Sequence, residues 1–158
     1  MSFHETTSED AEVVSAITDP RFRKWAVQPG PGTRCFRAWA GNEMVGTITG
    51  FFEGYNDFHR LRHDEAELNL LYVATAWRKK AVASGLIAYA SSMMHKGGIE
   101  RLYAKVWRNN KPSTRAFERA GWEYDYLFVR LEPVLIGHPV NIQFTSHRIR
   151  VGNDLHDI

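Results

Sequence analysis

A chain of 158 residues with a single cysteine is long enough to bury a hydrophobic core without disulfide or metal. With 44% hydrophobic and 24% charged residues it reads as a globular protein, and its net charge of +2 is too small to argue by itself for nucleic acid or a membrane surface. No apolar run approaches the roughly 20 residues of a membrane span. The opening MSFHETTSED is polar and acidic, unlike a secretory signal. Cys35 rules out an internal disulfide and fits a reducing compartment. The expectation is one domain over residues 1–158, in the cytoplasm, with residues 132–158 as a C-terminal strand and tail.

In chain order, Thr7 followed by Asp10 resembles a capping box opening a short helix with Val13, Val14 and Ile17. A second short helix is predicted over 20–27, before the PGPG loop at 29–32. RCFRAWA and EMVGTITGFF flank Gly41-Asn42 and read as a hairpin. A polar stretch at 54–66 reads as a loop, and AELNLLYVAT as a central strand. Val82, Leu86, Tyr89 and Met93 recur at helical spacing up to Gly97-Gly98. RLYAKVW is a further strand. Pro112 fits the first turn of a helix that Gly121 closes. WEYDYLFVRLE and VNIQFTSHRIR alternate as strands. Helices, hairpin, strand, helix, strand, helix, strand, strand make an α/β mixed sheet.

The chemistry concentrates in LYVATAWRKKAVASG at 71–85. A strand handing over to a helix leaves backbone N–H groups unpaired at the helix start, where the dipole adds positive character. Arg78, Lys79 and Lys80 add formal charge, while Ala81, Ala83, Ser84 and Gly85 keep the turn small. This reads as a pyrophosphate cradle. A solvated basic turn with alanines as helix formers accounts for the same letters.

Arg-x-x-Ala-x-Ala resembles the Q/R-x-x-G-x-G/A signature of the GNAT superfamily of N-acetyltransferases. AELNLLYV looks like that family's fourth strand, VWRNNKPSTRAFERAGW like its asparagine-containing segment, and ETTSEDAEVV like its usual opening. The resemblance spans roughly residues 3 to 130. It implies a mixed, mostly antiparallel twisted sheet flanked by about four helices, with splayed fourth and fifth strands. It also implies transfer of acetyl from acetyl-CoA to a primary amine by direct attack.

By position, the resemblance puts the pantetheine arm against Leu71, Tyr72 and Val73, with an oxyanion-stabilising N–H near Val73. It puts the pyrophosphate beside Arg78, Lys79, Lys80, Ala81, Val82, Ala83 and Ser84, and gives Asn110 and Phe117 cofactor contacts. Glu67 matches the glutamate base of the family's histone acetyltransferases, acting directly or through water. Phe117 stands where many members carry a tyrosine that protonates the leaving thiolate, and Tyr124 or Tyr126 are the substitutes. Ala81 takes the place of a signature glycine. The expectation is that the helix has already begun there, which makes alanine harmless.

Asn110 before Lys111-Pro112 also reads as a plain helix cap. His59 and His63 lack the glutamate of a zinc-protease motif, and Cys35 has no defensible histidine–acid companion. The acceptor site is expected around Trp25, Phe52–Tyr55, His59 and Tyr124–Phe128, for an amine on a small molecule or protein. A last strand with a free edge is expected to favour a homodimer. The alternatives are a catalytically impaired acyl-CoA-binding module, a longer acyl donor, and, outside catalysis, nucleic-acid binding.

Overall fold

The computed structural model describes residues 1–6, 30–52, 61–107, 109–126 and 146–150. Among these, seven strands form one sheet: β1 (Ser2–Thr6), β2 (Thr33–Ala40), β3 (Glu43–Phe51), β4 (Glu65–Val73), β5 (Arg101–Lys105), β6 (Glu123–Tyr126) and β7 (Ser146–Arg150). Two helices accompany them, α1 (Val82–Lys96) and α2 (Lys111–Arg119). The spatial order is β1-β2-β3-β4-β5-β7-β6. Only β4 and β5 pair in parallel; every other neighbour is antiparallel.

The hairpin forms as expected, with Gly41 at φ +60° in its turn. β7 lies between β5 and β6. The last described strand is therefore not a free edge, and the expectation of a free edge there is corrected: β7 pairs with β5 along its length and with β6 over Ser146–Arg148. The expected helices over 7–17 and 20–27 lie outside the described residues.

The two sheet faces differ. Phe36, Ala38, Ile48, Leu68, Ala66 and Leu102 pack with Val82, Leu86, Ile87, Ala90 and Met94 of α1 into the core. Each of the larger side chains among them, Val, Leu, Ile, Phe and Met, contributes about 1.5–3 kcal/mol by leaving water. α1 lies along β3 because β3 carries no side chain at two points. A Cβ on Gly46 would sit 3.3 Å from Val82 Cγ1, and one on Gly50 would sit 2.9 Å from Met94 Cε. The helix N-terminus is thereby held beside the end of β4, since the same position at Gly46 is 3.3 Å from the Tyr72 carbonyl oxygen. Arg34 of β2 clamps the other helix end. It donates to Glu5 on β1 at 2.6 and 2.5 Å and to the Met93 carbonyl at 3.0 Å.

Pairing between β3 and β4 slips between Thr47 and Thr49, and Leu70 adopts φ +54°. This is a β-bulge, in which two residues of β4 oppose one of β3. It reverses the alternation. Asn69 faces with Thr49, but Tyr72, not Leu71, is the next β4 residue opposite β3 on that face, level with Thr47. Pairing between β4 and β5 stops at Glu67–Tyr103, although β4 continues to Val73 and β5 to Lys105. The two strands form a fork.

Candidate functional site

The turn between β4 and α1 is built from backbone. The Ala74 N–H donates to the Val45 carbonyl at 2.9 Å, a 3-10 turn occupies Thr75–Trp77, and Arg78 is extended. Lys79 and Ala81 then adopt left-handed conformations, φ +63° and +59°. Ala81 is the N-cap of α1, and no side chain caps the helix. The expectation that helix already runs through Ala81 is corrected. The chain needs a left-handed residue to redirect the backbone before the first helical turn, and alanine carries that strain here. The first N–H groups of α1 have no partner within the helix, and Lys79 and Lys80 beside them are exposed.

The three cations behave differently. Arg78 folds back, with Nε donating to the Val73 carbonyl at 3.1 Å and its guanidinium 5.6 Å from the Tyr72 ring centroid. It ties the turn to the end of β4. Lys80 Nζ lies 4.6 Å from the Trp77 ring centroid, and Trp77 Nε1 donates to Glu43 Oε2 at 3.3 Å. The Ser84 hydroxyl donates to the Ala81 carbonyl at 3.1 Å. Gly85, grouped by sequence with the small residues of the cradle, is small for another reason. A Cβ there would lie 2.7 Å from Phe3 Cζ. Its size lets β1 pack on α1.

The face of the sheet opposite α1 carries a buried polar band. Strand pairing aligns Arg37, Thr47 and Tyr72 in one row, Cys35, Thr49 and Asn69 in the next, and Glu67 with Tyr103 beyond. Arg37, Thr47, Thr49, Glu65 and Glu67 are all buried. The Arg37 guanidinium donates to Thr47 Oγ1. Burial pushes its pKa below the ordinary arginine value, with the Cys35 thiol acting in the opposite sense.

Glu67 is 1% exposed. Its Oε2 accepts from Lys105 Nζ at 2.7 Å and its Oε1 from Asn69 Nδ2 at 2.9 Å. The bulge orients this arrangement, because the Leu70 N–H donates to Asn69 Oδ1 at 2.7 Å. Next to it, Tyr103 donates to Glu65 Oε1 at 3.1 Å, and Arg101 lies 3.5 Å from the same oxygen. Arg37, Asn69, Tyr103 and Lys105 were not among the residues singled out from sequence. The alternation of RLYAKVW gave a strand, but not which acid its cations would meet.

Asn110 accepts from the Ser113 N–H at 3.3 Å and caps α2, whose first turn holds Pro112. Phe117 is buried against Trp122, ring centroids 4.8 Å apart. Trp122 in turn donates to Ser91 Oγ on α1 at 3.3 Å. Tyr124 stands in β6 opposite His147, and its side chain is outside the described set. Of the expected acceptor residues, Phe52 packs against the core. Trp25, residues 53–55, His59 and residues 127–128 lie outside the described residues. Among the described residues no cluster of three or more His, Cys, Asp or Glu could hold a metal, and no helix is long and apolar enough to cross a membrane.

No curated protein matches the sequence. Solved structures match the fold. A ribosomal-protein-alanine N-acetyltransferase from Brucella melitensis is 15% identical, with a TM-score of 0.68 over 96% of this chain and 100% of that one. An N-acetyltransferase from Staphylococcus aureus is 13% identical, with a TM-score of 0.64 over 94% and 97%. An aminoglycoside acetyltransferase in complex with coenzyme A is 12% identical, with a TM-score of 0.67 over 95% and 94%. At these identities the likeness speaks for fold alone. The sequence itself matches the acetyltransferase (GNAT) family model over residues 2–122, more than half its length, and the chain belongs to the GNAT acetyltransferase family.

Proposed function

We propose that this protein transfers an acetyl group from acetyl-CoA to a primary amine of a small molecule or a protein. The observation that carries the reading is the uncapped N-terminus of α1, reached through two left-handed residues and held beside the fork of β4 and β5. An anion fits there. The helix start offers backbone donors, the side chains of Ala81, Ala83 and Ser84 are small, and two exposed lysines supply charge.

In this reading the N–H groups from Lys79 to Ser84 hold the pyrophosphate. Lys79 and Lys80 add long-range attraction, and Arg78 braces the turn against Val73 rather than reaching for phosphate. Leu71, Tyr72 and Val73 present β4 to the pantetheine arm, with Asn110 and Phe117 on the far side. When bound, acetyl-CoA supplies an acetyl group already activated as a thioester. Glu67 receives the proton of the acceptor ammonium, through water because the carboxylate is buried. Tyr124 is the proposed donor toward the departing sulfur.

A calorimetric titration with acetyl-CoA, desulfo-CoA and ADP tests the cradle. Micromolar binding that survives in the CoA analogues, and falls at least about tenfold when Lys79 and Lys80 are both changed to Glu, is the expected result. Absence of binding at millimolar acetyl-CoA would overturn the reading.

A further inference from the structure

The Glu67–Lys105 pair sits at a particular point of the fold. Glu67 is the last β4 residue paired with β5, and Lys105 lies two residues beyond its partner Tyr103, on the arm that runs away from β4. The lysine reaches back across the opening to the carboxylate. Its side chain is 22% exposed while that of Glu67 is 1% exposed, so the pair meets solvent on the lysine's side. A carboxylate so deeply buried is costly to charge unless a cation and hydrogen bonds replace the lost water. Lys105 supplies the cation, and Asn69, fixed by the bulge, supplies the second hydrogen bond.

We propose that Lys105 is a positioning residue for acetyl transfer: its ammonium holds the Glu67 carboxylate in place at the fork, oriented for the acceptor's proton. This rests on the reading of Glu67 as the base. It separates Lys105 from Arg101. Arg101 faces Glu65, is 43% exposed at its side chain, and stands where β4 and β5 are still paired. The same charge does further work. An acceptor ammonium approaching Glu67 passes a fixed positive charge, which favours the neutral, nucleophilic amine over its protonated form.

The test uses Lys105→Met, Lys105→Gln, Lys105→Arg, Glu67→Gln and the Lys105→Met/Glu67→Gln double variant. Calorimetry with CoA comes first, because a variant that binds CoA within twofold of wild type is folded around an intact cradle. Thiol release from acetyl-CoA is then followed with alkylamines, aminoglycosides and peptides bearing a free N-terminal alanine. The expected result is a kcat at least about tenfold lower in Lys105→Met or Lys105→Gln. KM for acetyl-CoA stays unchanged, no further loss appears in the double variant, and Lys105→Arg recovers to within threefold. A kcat within twofold of wild type in CoA-binding Lys105→Met and Lys105→Gln would overturn the proposal, as would full additivity with Glu67→Gln.

A second readout does not depend on turnover. With 13C-labelled glutamate, the Glu67 carboxyl resonance is assigned by its loss in Glu67→Gln. The resonance should keep its wild-type position in Lys105→Arg and move in Lys105→Met, where the carboxylate loses the ammonium it accepts from. An unchanged resonance in Lys105→Met overturns the proposal even where no amine of the panel is acetylated. That last outcome, with CoA bound, counts separately against the proposed acceptor class.

Discussion

Ala81→Gly is a substitution whose sign depends on one backbone angle. At φ +59° the alanine Cβ crowds its own backbone, and left-handed geometry costs an L-residue about 1–2 kcal/mol. Glycine removes that cost. It also loosens the unfolded chain, which takes back about 0.4–1 kcal/mol. The net is a stabilisation of about 0.5–1 kcal/mol, or about 1–4 °C in Tm for a chain of this size. Had Ala81 been helical, glycine would instead have cost about 1 kcal/mol. Ala88 supplies the internal control, since it is exposed within α1. Ala88→Gly should destabilise by about 1 kcal/mol. Urea unfolding with a common m-value compares the two. Loss of stability in Ala81→Gly comparable to that in Ala88→Gly would refute the left-handed turn and the account of how α1 starts.

Other consequences follow from the packing. Gly85→Ala puts a methyl 2.7 Å from Phe3 Cζ; overpacking of about 1–3 kcal/mol outweighs the gain of about 1 kcal/mol that alanine brings to a helix, so stability should fall by up to about 2 kcal/mol, and adding Phe3→Leu should recover most of the loss. Urea midpoints of the single and double variants decide this. Asn110→Ala removes the acceptor for the Ser113 N–H and should cost about 1 kcal/mol in the same assay, while Asn110→Asp should cost far less. An equal loss in both would mean that Asn110 does not act as the cap of α2.

The sequence made legible what local chemistry decides. The Gly41-Asn42 hairpin, α1 ending at Gly97-Gly98, and α2 with Pro112 in its first turn follow from turn residues and helical spacing. What it hid depends on partners distant in the chain. Nothing in LNLLYV marks Leu70 as a bulge, because no glycine or proline stands there and the apolar run reads the same in either register. The left-handed Lys79 and Ala81 escaped for a related reason: lysine and alanine are good helix formers, and tertiary anchoring overrides that preference. Gly85 reads as part of a ligand turn, but Phe3, far earlier in the chain, fills the space above it. The role of Lys105 needed the strand order, since β4 and β5 come together only through a parallel crossover.

The fork has a meaning beyond this one protein's chemistry. An open strand edge at the rim of a sheet is a hazard, because any extended chain of any size can add to it. Here the opening lies in the middle of the sheet, with β3 completing one side of β4 and β7 completing the far side of β5. A neighbouring protein's strand, with its continuation at both ends, meets no open rim there, because the two arms are joined at Glu67–Tyr103 and backed by β3 and β7. Moving the edge inward takes unpaired backbone away from the rim, where another chain would add to it.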